Sequence, residues 1–387
     1  MRQLYLAATG QNRGKTTAAL GLFEGFVRRG LDAGFMKPVG QRTVIDQGEP
    51  ADEDAVLMRS VFGLTEPYSI LSPVHIPRGF TKAYIAGEVV EDLGAKIVSA
   101  HATFREREVL LIEGTGHTGV GAVIGLSNAA VAAALGAPAI IISEGGVGRP
   151  IDEIVLNAAL FAKHGVPVGG AIVNKVDVEA QPGIERVLQR GLAPYDIPLL
   201  GVLPVRPLLS NPTLEMILEG VRGETVHAGP DLDRVIDGVA IGAMEPGHML
   251  ERVGPGTLVI VPGDREDVIL TLTTAHLMGT PRPASVDERT QPTLQLDEDH
   301  AGAAIGLVLT GGYRPRSPVI EAIRRADLFA TLVPNDTYTV ASEVHDLLVK
   351  THAADREKIE LIKELVGRNL DIDRVLGVAT EAWNVGV

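Results

Sequence analysis

The sequence predicts an α/β fold, a parallel sheet with helices on both faces followed by a second, smaller α/β unit. Short, nearly continuous apolar runs such as "EVLLIEGTG" at 108–116 and "APAIIISEGG" at 137–146 have the composition of strands buried on both sides. Segments with apolar residues at helical spacing, such as "IDEIVLNAALFAKHG" at 151–165, alternate with them. Glycine or polar turns close the runs, where such a sheet opens the carboxyl ends of its strands to ligands.

In chain order, "RQLYLAAT" (2–9) reads as the first strand and "TTAALGLFEGFVRRG" (16–30) as the first helix, closed by Gly30. "DAGFMKPVG" is a second strand reaching Lys37-Pro38, and the patterns over 52–61 and 81–102 are helical. After the strand at 108–116 come a helix from "LSNAAVAAALG", the strand at 137–146 and the helix at 151–165. Strand "VGGAIVNKVD", helix "EAQPGIERVLQRG" and strand "PLLGVLPV" complete the first unit. The pattern pauses between Arg206 and Asp231, which places a boundary there. Three strand–turn–helix pieces follow, beginning at 256, 303 and 328, with a loop or irregular hairpin expected from Thr280 to His300. The expected divisions are 1–212, 213–345 and a helical segment at 346–387.

Composition narrows the functions. With 45% hydrophobic residues, 387 residues bury a large core and divide into more than one domain. A net charge of −14 without any long Lys/Arg cluster argues against gripping nucleic-acid backbones. Zero cysteines exclude disulfides, Cys-ligated zinc and Cys nucleophiles. The start lacks a signal-type pattern, and no unbroken apolar segment has bilayer length. A soluble, cytoplasmic protein without a membrane partner is expected.

The stretch "AATGQNRGKTT" (7–17) joins the first strand to the first helix. A triphosphate needs backbone N–H groups at a helix N-terminus, a lysine for the β/γ oxygens and a hydroxyl on Mg2+. Gly10, Gln11, Asn12, Arg13, Gly14, Lys15, Thr16 and Thr17 are the candidate nucleotide-binding stretch. Gly14 would permit close approach, Lys15 supply the charge and Thr16 the metal-ligand hydroxyl. The usual pattern has a glycine five positions before Gly14. That position holds Thr9, with Gly10 one step late, so an ordinary turn with a solvated lysine stands as the alternative.

"TGQNRGKTTAALGL" with "FMKPVG" resembles dethiobiotin synthetase, and the resemblance continues through "DEDAVLMRS", "LLIEGTGH", "AIVNKVD" and "GVLP". It covers residues 1 to about 210 and implies a P-loop NTPase-like fold binding Mg2+-ATP. It also implies catalytic roles for Lys15 and Lys37, metal-site carboxylates at Asp54 and Glu113 beside Thr16, an adenine-reading Asn174 and a nucleotide contact at Pro204. The residues read alone agree in part. Lys37 could be a second cation on a phosphoryl group or a snorkelling lysine. Asp54 could support the metal through water, or Asp52 to Asp54 could be a solvated helix start. Glu113, ending an apolar strand, is expensive to leave unpaired. In "NKVD", Asp177 could read guanine, so GTP stands beside the expected ATP. Two departures are Arg13, where the family has an aliphatic residue, and "EGTGH", where a double glycine is replaced and His117 intrudes.

Further on, "VPGDREDVILTLTTAH", "VLTGGYRP" and "PNDTYTVAS" resemble the DRTGG domain. The order of the two modules resembles the N-terminal half of long phosphotransacetylases, a region that is regulatory in those enzymes. With the chain ending at Val387, no acetyl-transferring domain is expected. Asp264 could cap the following helix. Arg265 and Arg314, beside the Gly311-Gly312 turn, could face a small anionic metabolite or simply be solvated.

Two functions follow as expectations. One is a nucleotide- and metabolite-responsive regulatory protein, working as a homo-oligomer. The other is an ATP-dependent ligase that phosphorylates a carboxylate or carbamate for attack by an amine. A glutamine-dependent amide synthase is excluded, because its glutaminase part needs a cysteine.

Overall fold

The computed structural model describes residues 1–278, 304–345, 347 and 351–381; the segment expected as a loop from Thr280 to His300 lies outside them. The chain folds as two units, 1–206 with 351–387 and 207–350.

In the first unit, β1 (Arg2–Ala8) leads through the glycine turn into α1 (Lys15–Arg28), and β2 (Ala33–Met36) follows. The Lys37-Pro38 step ends the strand, since proline has no N–H for a ladder, and β3 (Val39–Gly40) beyond it belongs to a separate two-stranded sheet. An antiparallel pair, β4 (Thr43–Asp46) and β5 (Glu49–Asp52), leads to α2 (Glu53–Phe62), whose N-cap is Asp52. Short α3 (Tyr68–Leu71) and β6 (Val74–His75) precede α4 (Phe80–Ile85) and α5 (Leu93–Ala102). The single helix expected over 81–102 is thus two. Gly87 turns at φ 75°, and Asp92 caps a fresh start by accepting from the Ala95 N–H.

Strand β7 (Val109–His117), α6 (Asn128–Leu135), β8 (Ala139–Glu144), α7 (Gly148–Lys163), β9 (Val168–Val176), α8 (Ile184–Leu192) and β10 (Leu199–Pro204) complete the alternation. The sheet order is β10-β9-β8-β1-β7-β2, all parallel. Its central strands are buried on both faces, with Leu4, Leu6, Ile112, Ile141 and Val173 fully inaccessible.

In the second unit, the pause expected at 206–231 holds α9 (Pro207–Ser210), α10 (Leu214–Val221) and β11 (Glu224–His227). Then come β12 (Gly238–Ile241), α11 (Pro246–Leu250), β13 (Thr257–Pro262), α12 (Glu266–Met278), β14 (Ala304–Thr310), α13 (Ser317–Arg325), β15 (Phe329–Leu332) and α14 (Thr337–His345). The sheet order is β11-β15-β14-β13-β12, antiparallel only at β11. Alternation along β13 divides the core. Val259 and Val261 pack with α12 and α13, while Leu258 and Ile260 pack with α10 and α14.

The segment expected as a separate helical tail returns to the first unit. Helix α15 (Arg356–Asn369) lies on α1, followed by α16 (Ile372–Val378) and β16 (Thr380–Glu381), which pairs antiparallel with the start of β1. Gly21 and Gly25 of α1 are the reason the helices approach so closely. A Cβ at Gly21 would collide with Val366, and one at Gly25 would crowd Ile372. Among the described residues no helix is long and apolar enough to cross a membrane.

Candidate nucleotide and metal site

The site lies at the carboxyl ends of β1 and β2 and at Glu113, which the sequence reading put at a strand end but which is the fifth of nine residues of β7; there the parallel sheet delivers side chains from separate strands to one place. Gly14, at φ 93°, turns the chain into α1, and no side chain caps that helix start. Its conformation and surroundings both exclude a larger residue, since a Cβ would collide with the Asn174 amide. Lys15 opens the helix, is 8% exposed, and reaches back to the Gly10 carbonyl at 3.4 Å.

Thr16 faces the acids. Its hydroxyl lies 2.9 Å from Asp54 Oδ1 and 3.2 Å from Glu113 Oε1. Lys37, delivered by the end of β2, bridges the same pair: its Nζ is 2.5 Å from Asp54 Oδ2 and 2.9 Å from Glu113 Oε1, and it donates to the Gly114 carbonyl at 3.3 Å. Sequence residues 15, 16, 37, 54 and 113 therefore meet in one cluster. Asp52 joins it, a carboxylate that motif reasoning passed over although it stands in the same acidic run. Only 2% exposed, it accepts from the Asp54 N–H at 3.0 Å.

Charge in this cluster is finely set. Burial pushes the Glu113 carboxyl up to about 7, with the Asp54 charge adding to the shift. Burial also works to raise Asp54, but the Lys37 charge and hydrogen bonds from Lys37, Thr16 and Glu113 outweigh it and hold the group down. Burial pushes Asp52 up to about 6. Burial and then repulsion from Lys37 push Lys15 down to about 8. Lys37 itself is held above the usual lysine range, its carboxylate neighbours overcoming the cost of burial. Three carboxylates face two ammonium groups, so opposite charges are nearly balanced within the cluster.

A hard divalent cation fits this donor set. Thr16 Oγ1, Asp54 and Glu113 are oxygen donors, and Glu113 Oε2 is buried without a hydrogen-bond partner. No group of three or more His, Cys, Asp or Glu side chains that could hold a metal occurs among the described residues. The set suits Mg2+, which takes few protein ligands and completes its shell with water and phosphate oxygens.

Behind the loop, Asn174 is 5% exposed and donates through Nδ2 to the Arg13 carbonyl at 3.1 Å. Lys175 donates to the Asn12 carbonyl at 2.9 Å. Asp177 is exposed, and its Oδ1 accepts from the Ala180 N–H at 2.9 Å, closing a local turn. Pro204, the last residue of β10, pairs with Val176 and is buried. Gln11 and Asn12 are exposed at the loop tip, while Gly10, Arg13 and Thr17 are half-buried. The Arg13 side chain is not among the phosphate-facing cations: it pairs with Glu144. His117 is exposed and its Nδ1 accepts from the Gly119 N–H at 3.1 Å, so it caps its own turn.

In the second unit, Gly311 and Gly312 take φ values of 80° and 70°, and their N–H groups donate to Asn335 O and Val333 O at 2.8 and 2.9 Å. Arg265 is bidentate to Asp267 at 3.0 and 3.1 Å and also donates to the Met244 carbonyl. Arg314 pairs with Glu224 at 2.7 Å. Asp264 is exposed. The donors read from sequence as anion-facing are thus engaged with groups of their own unit.

The AAA domain family matches residues 2–213, and the DRTGG domain matches residues 216–347. A phosphate acetyltransferase of Deinococcus radiodurans is 26% identical over 96% of this chain and 50% of its own length. One from Pseudomonas putida is 26% identical over 96% of this chain and 51% of its own. The chain spans about half the length of these relatives. The ATP-dependent dethiobiotin synthetase BioD of Anaeromyxobacter dehalogenans is 28% identical over 48% of this chain and 81% of its own.

Proposed function

The chain belongs to the AAA domain family, and on that premise we propose a Mg2+-ATP-binding protein whose nucleotide state regulates its behaviour in response to a small anionic metabolite. One observation carries the reading: the Thr16 hydroxyl meets Asp54 and Glu113, the second Glu113 carboxylate oxygen is buried without a partner, and Lys37 and Lys15 stand beside these donors. Mg2+ on these donors would reverse the local charge balance and make the pocket receptive to phosphates. Lys15 would meet the β/γ oxygens, and the Gly14 turn would offer its backbone N–H groups.

The base reading rests on Asn174. Its Nδ2 gives one hydrogen to the Arg13 carbonyl and keeps a second, so the amide can offer a base both a donor and the acceptor Oδ1. A donor and an acceptor together match adenine, which shows an acceptor N7 beside its amino group, better than guanine, which shows two acceptors on that edge. ATP is therefore favoured over GTP. The regulatory part rests on the DRTGG domain and on the similarity to phosphate acetyltransferases over nearly the whole chain.

Lys37 favours a second reading. A buried cation bridging Asp54 and Glu113 would stand where charge develops on a transferred phosphoryl group, as an ATP-dependent carboxylate– or carbamate–amine ligase requires.

The experiment is thermal denaturation with ATP, Mg2+ or both, with turnover measured beside it. At about a hundred times the dissociation constant, Mg2+-ATP should add roughly 2.7 kcal/mol, and Lys15→Ala should remove most of it. An unchanged shift in Lys15→Ala, or none in the wild type, ends the nucleotide reading. Tight binding with negligible turnover supports the regulatory form; hydrolysis stimulated by a small carboxylate and an amine supports the ligase.

A further inference from the structure

The loop lacks its usual opening glycine, and the residue in that place has been put to use. The Thr9 hydroxyl donates to Glu153 Oε2 at 2.8 Å and lies 3.1 Å from Ser143 Oγ, which reaches the same carboxylate oxygen at 3.3 Å. At the other end of the loop, Arg13 pairs with Glu144 and approaches Glu153 Oε1 at 3.7 Å. Glu153, on α7, thus touches both ends of a loop that lies far from it in sequence. Arg149, one turn earlier on α7, steadies Glu153 Oε1 at 2.8 Å. Burial works to raise the Glu153 carboxyl, and the Arg149 and Thr9 hydrogen bonds with the Arg13 charge hold it below its usual range.

The loop between these ends is a strained one. Asn12 holds φ 58° without being a glycine, and so does Lys175, at φ 54°, which grips the Asn12 carbonyl. Lys175 also pairs with Glu144 at 3.2 Å, so Glu144 is shared between the lysine and Arg13. The Arg13 side chain lies across Gly10, where an added Cβ would meet its Nε at 3.1 Å. A strained backbone persists only where its surroundings over-determine it. Here the surroundings are ion pairs to two carboxylates that the nucleotide itself would not touch.

We propose that Glu153 is a positioning residue for the nucleotide: through Thr9 and Arg13 it fixes both ends of the loop and presets the backbone N–H groups that receive the phosphates. The proposal rests on the nucleotide reading above. Ordering the loop in advance removes a cost that binding would otherwise bear. It also accounts for Arg13 standing where an aliphatic residue was expected, because the side chain serves the anchor and not the phosphates.

The test has two arms, applied to Glu153→Ala and Glu153→Gln in the full chain. Amide exchange of residues 8–16, measured without nucleotide, should quicken about tenfold in Glu153→Ala, while exchange in β8 and the rest of α7 stays as in the wild type. The Mg2+-ATP dissociation constant, read with a fluorescent ATP analogue, should rise about tenfold. Glu153→Gln, which keeps an acceptor for Thr9, should recover part of both. Unchanged loop exchange in Glu153→Ala overturns the proposal whether or not the wild type binds ATP. So does faster exchange spread evenly over β8 and α7, which marks a general structural role. A wild type that binds no ATP defeats the functional reading instead, and the exchange arm still decides this one.

Discussion

The Nζ of Lys37 stands 2.9 Å from Oε1 of Glu113, with the lysine 4% exposed and the glutamate fully buried. Ion pairs so buried cost desolvation on both sides, and removing one partner strands the other. Lys37→Met should therefore destabilise the first unit by about 3–5 kcal/mol in urea denaturation. Adding Glu113→Gln to that variant should restore part of the loss, because the stranded charge is gone. Strict additivity of the two changes would mean that they do not act as a pair.

Gly14→Ala tests the turn. The residue sits at φ 93° with the Asn174 amide packed against its Cα, so an added methyl meets both backbone strain and a collision. A cost of about 1–3 kcal/mol is expected from the strain. The Mg2+-ATP thermal shift should disappear as well. Wild-type stability and shift in this variant would mean the turn is free to rearrange.

Asn174 and Asp177 separate the bases. Asn174→Ala should weaken both nucleotides, since it removes the bond to the Arg13 carbonyl that shapes the loop, and ATP more than GTP, since the amide that would pair with adenine is gone. Asp177→Ala should leave ATP binding within about twofold, because the carboxylate caps a turn at an exposed position. A selective loss of GTP in Asp177→Ala, from a wild type that binds both equally, would reverse the base preference.

The legible parts of this protein are those where local pattern and burial coincide. Apolar runs such as 109–112 and 139–142 are buried on both faces and could be read as parallel strands, Lys37 and Asp54 were visible as charges at a strand end and a helix start, and Glu113 as the charge that closes an apolar run although its strand continues to His117. What stayed hidden depends on partners distant in sequence. The β4–β5 pair carries little apolar alternation in "TVID" and "EPAD" and so resembles a loop. Helix α10 lay inside a stretch read as a pause, because its apolar face is only eight residues long. Glu153 sits in an ordinary amphipathic helix, and nothing nearby in sequence reveals that its carboxylate meets Thr9 and Arg13. Helix α15 displays its apolar face plainly, but not the glycines of α1 that receive it.

His101 gives a pH dependence outside the site. Its Nε2 lies 2.7 Å from Oε1 of the fully buried Gln3, and burial, aided by Arg105, pushes its pKa down to about 4. The unfolded chain, near 6.5, binds a proton more readily than the folded one. The stability is thus fully present above 6.5 and is lost as pH falls through 4. His101→Gln, which cannot titrate, should flatten the decline in melting temperature between pH 6.5 and 4. An unaltered slope would assign the acid loss to carboxylates alone.

The returning C-terminal segment makes the sharpest claim about architecture. Ile362, 1% exposed on α15, lies within a helix that packs on α1, the helix springing directly from the phosphate loop. Lys363 adds an ion pair to Glu24 of α1 at 3.5 Å, and Arg29 at the end of α1 holds Asp373 at 2.7 Å. Both pairs are partly exposed and worth little, so the apolar seam should carry the attachment. Ile362→Ala should cost about 2–5 kcal/mol. Two units predict two calorimetric transitions, and Ile362→Ala should lower the same one that Mg2+-ATP raises. A variant that lowers only the other transition would detach residues 351–381 from the first unit. A variant that lowers neither would mean that the α1–α15 seam adds nothing to stability.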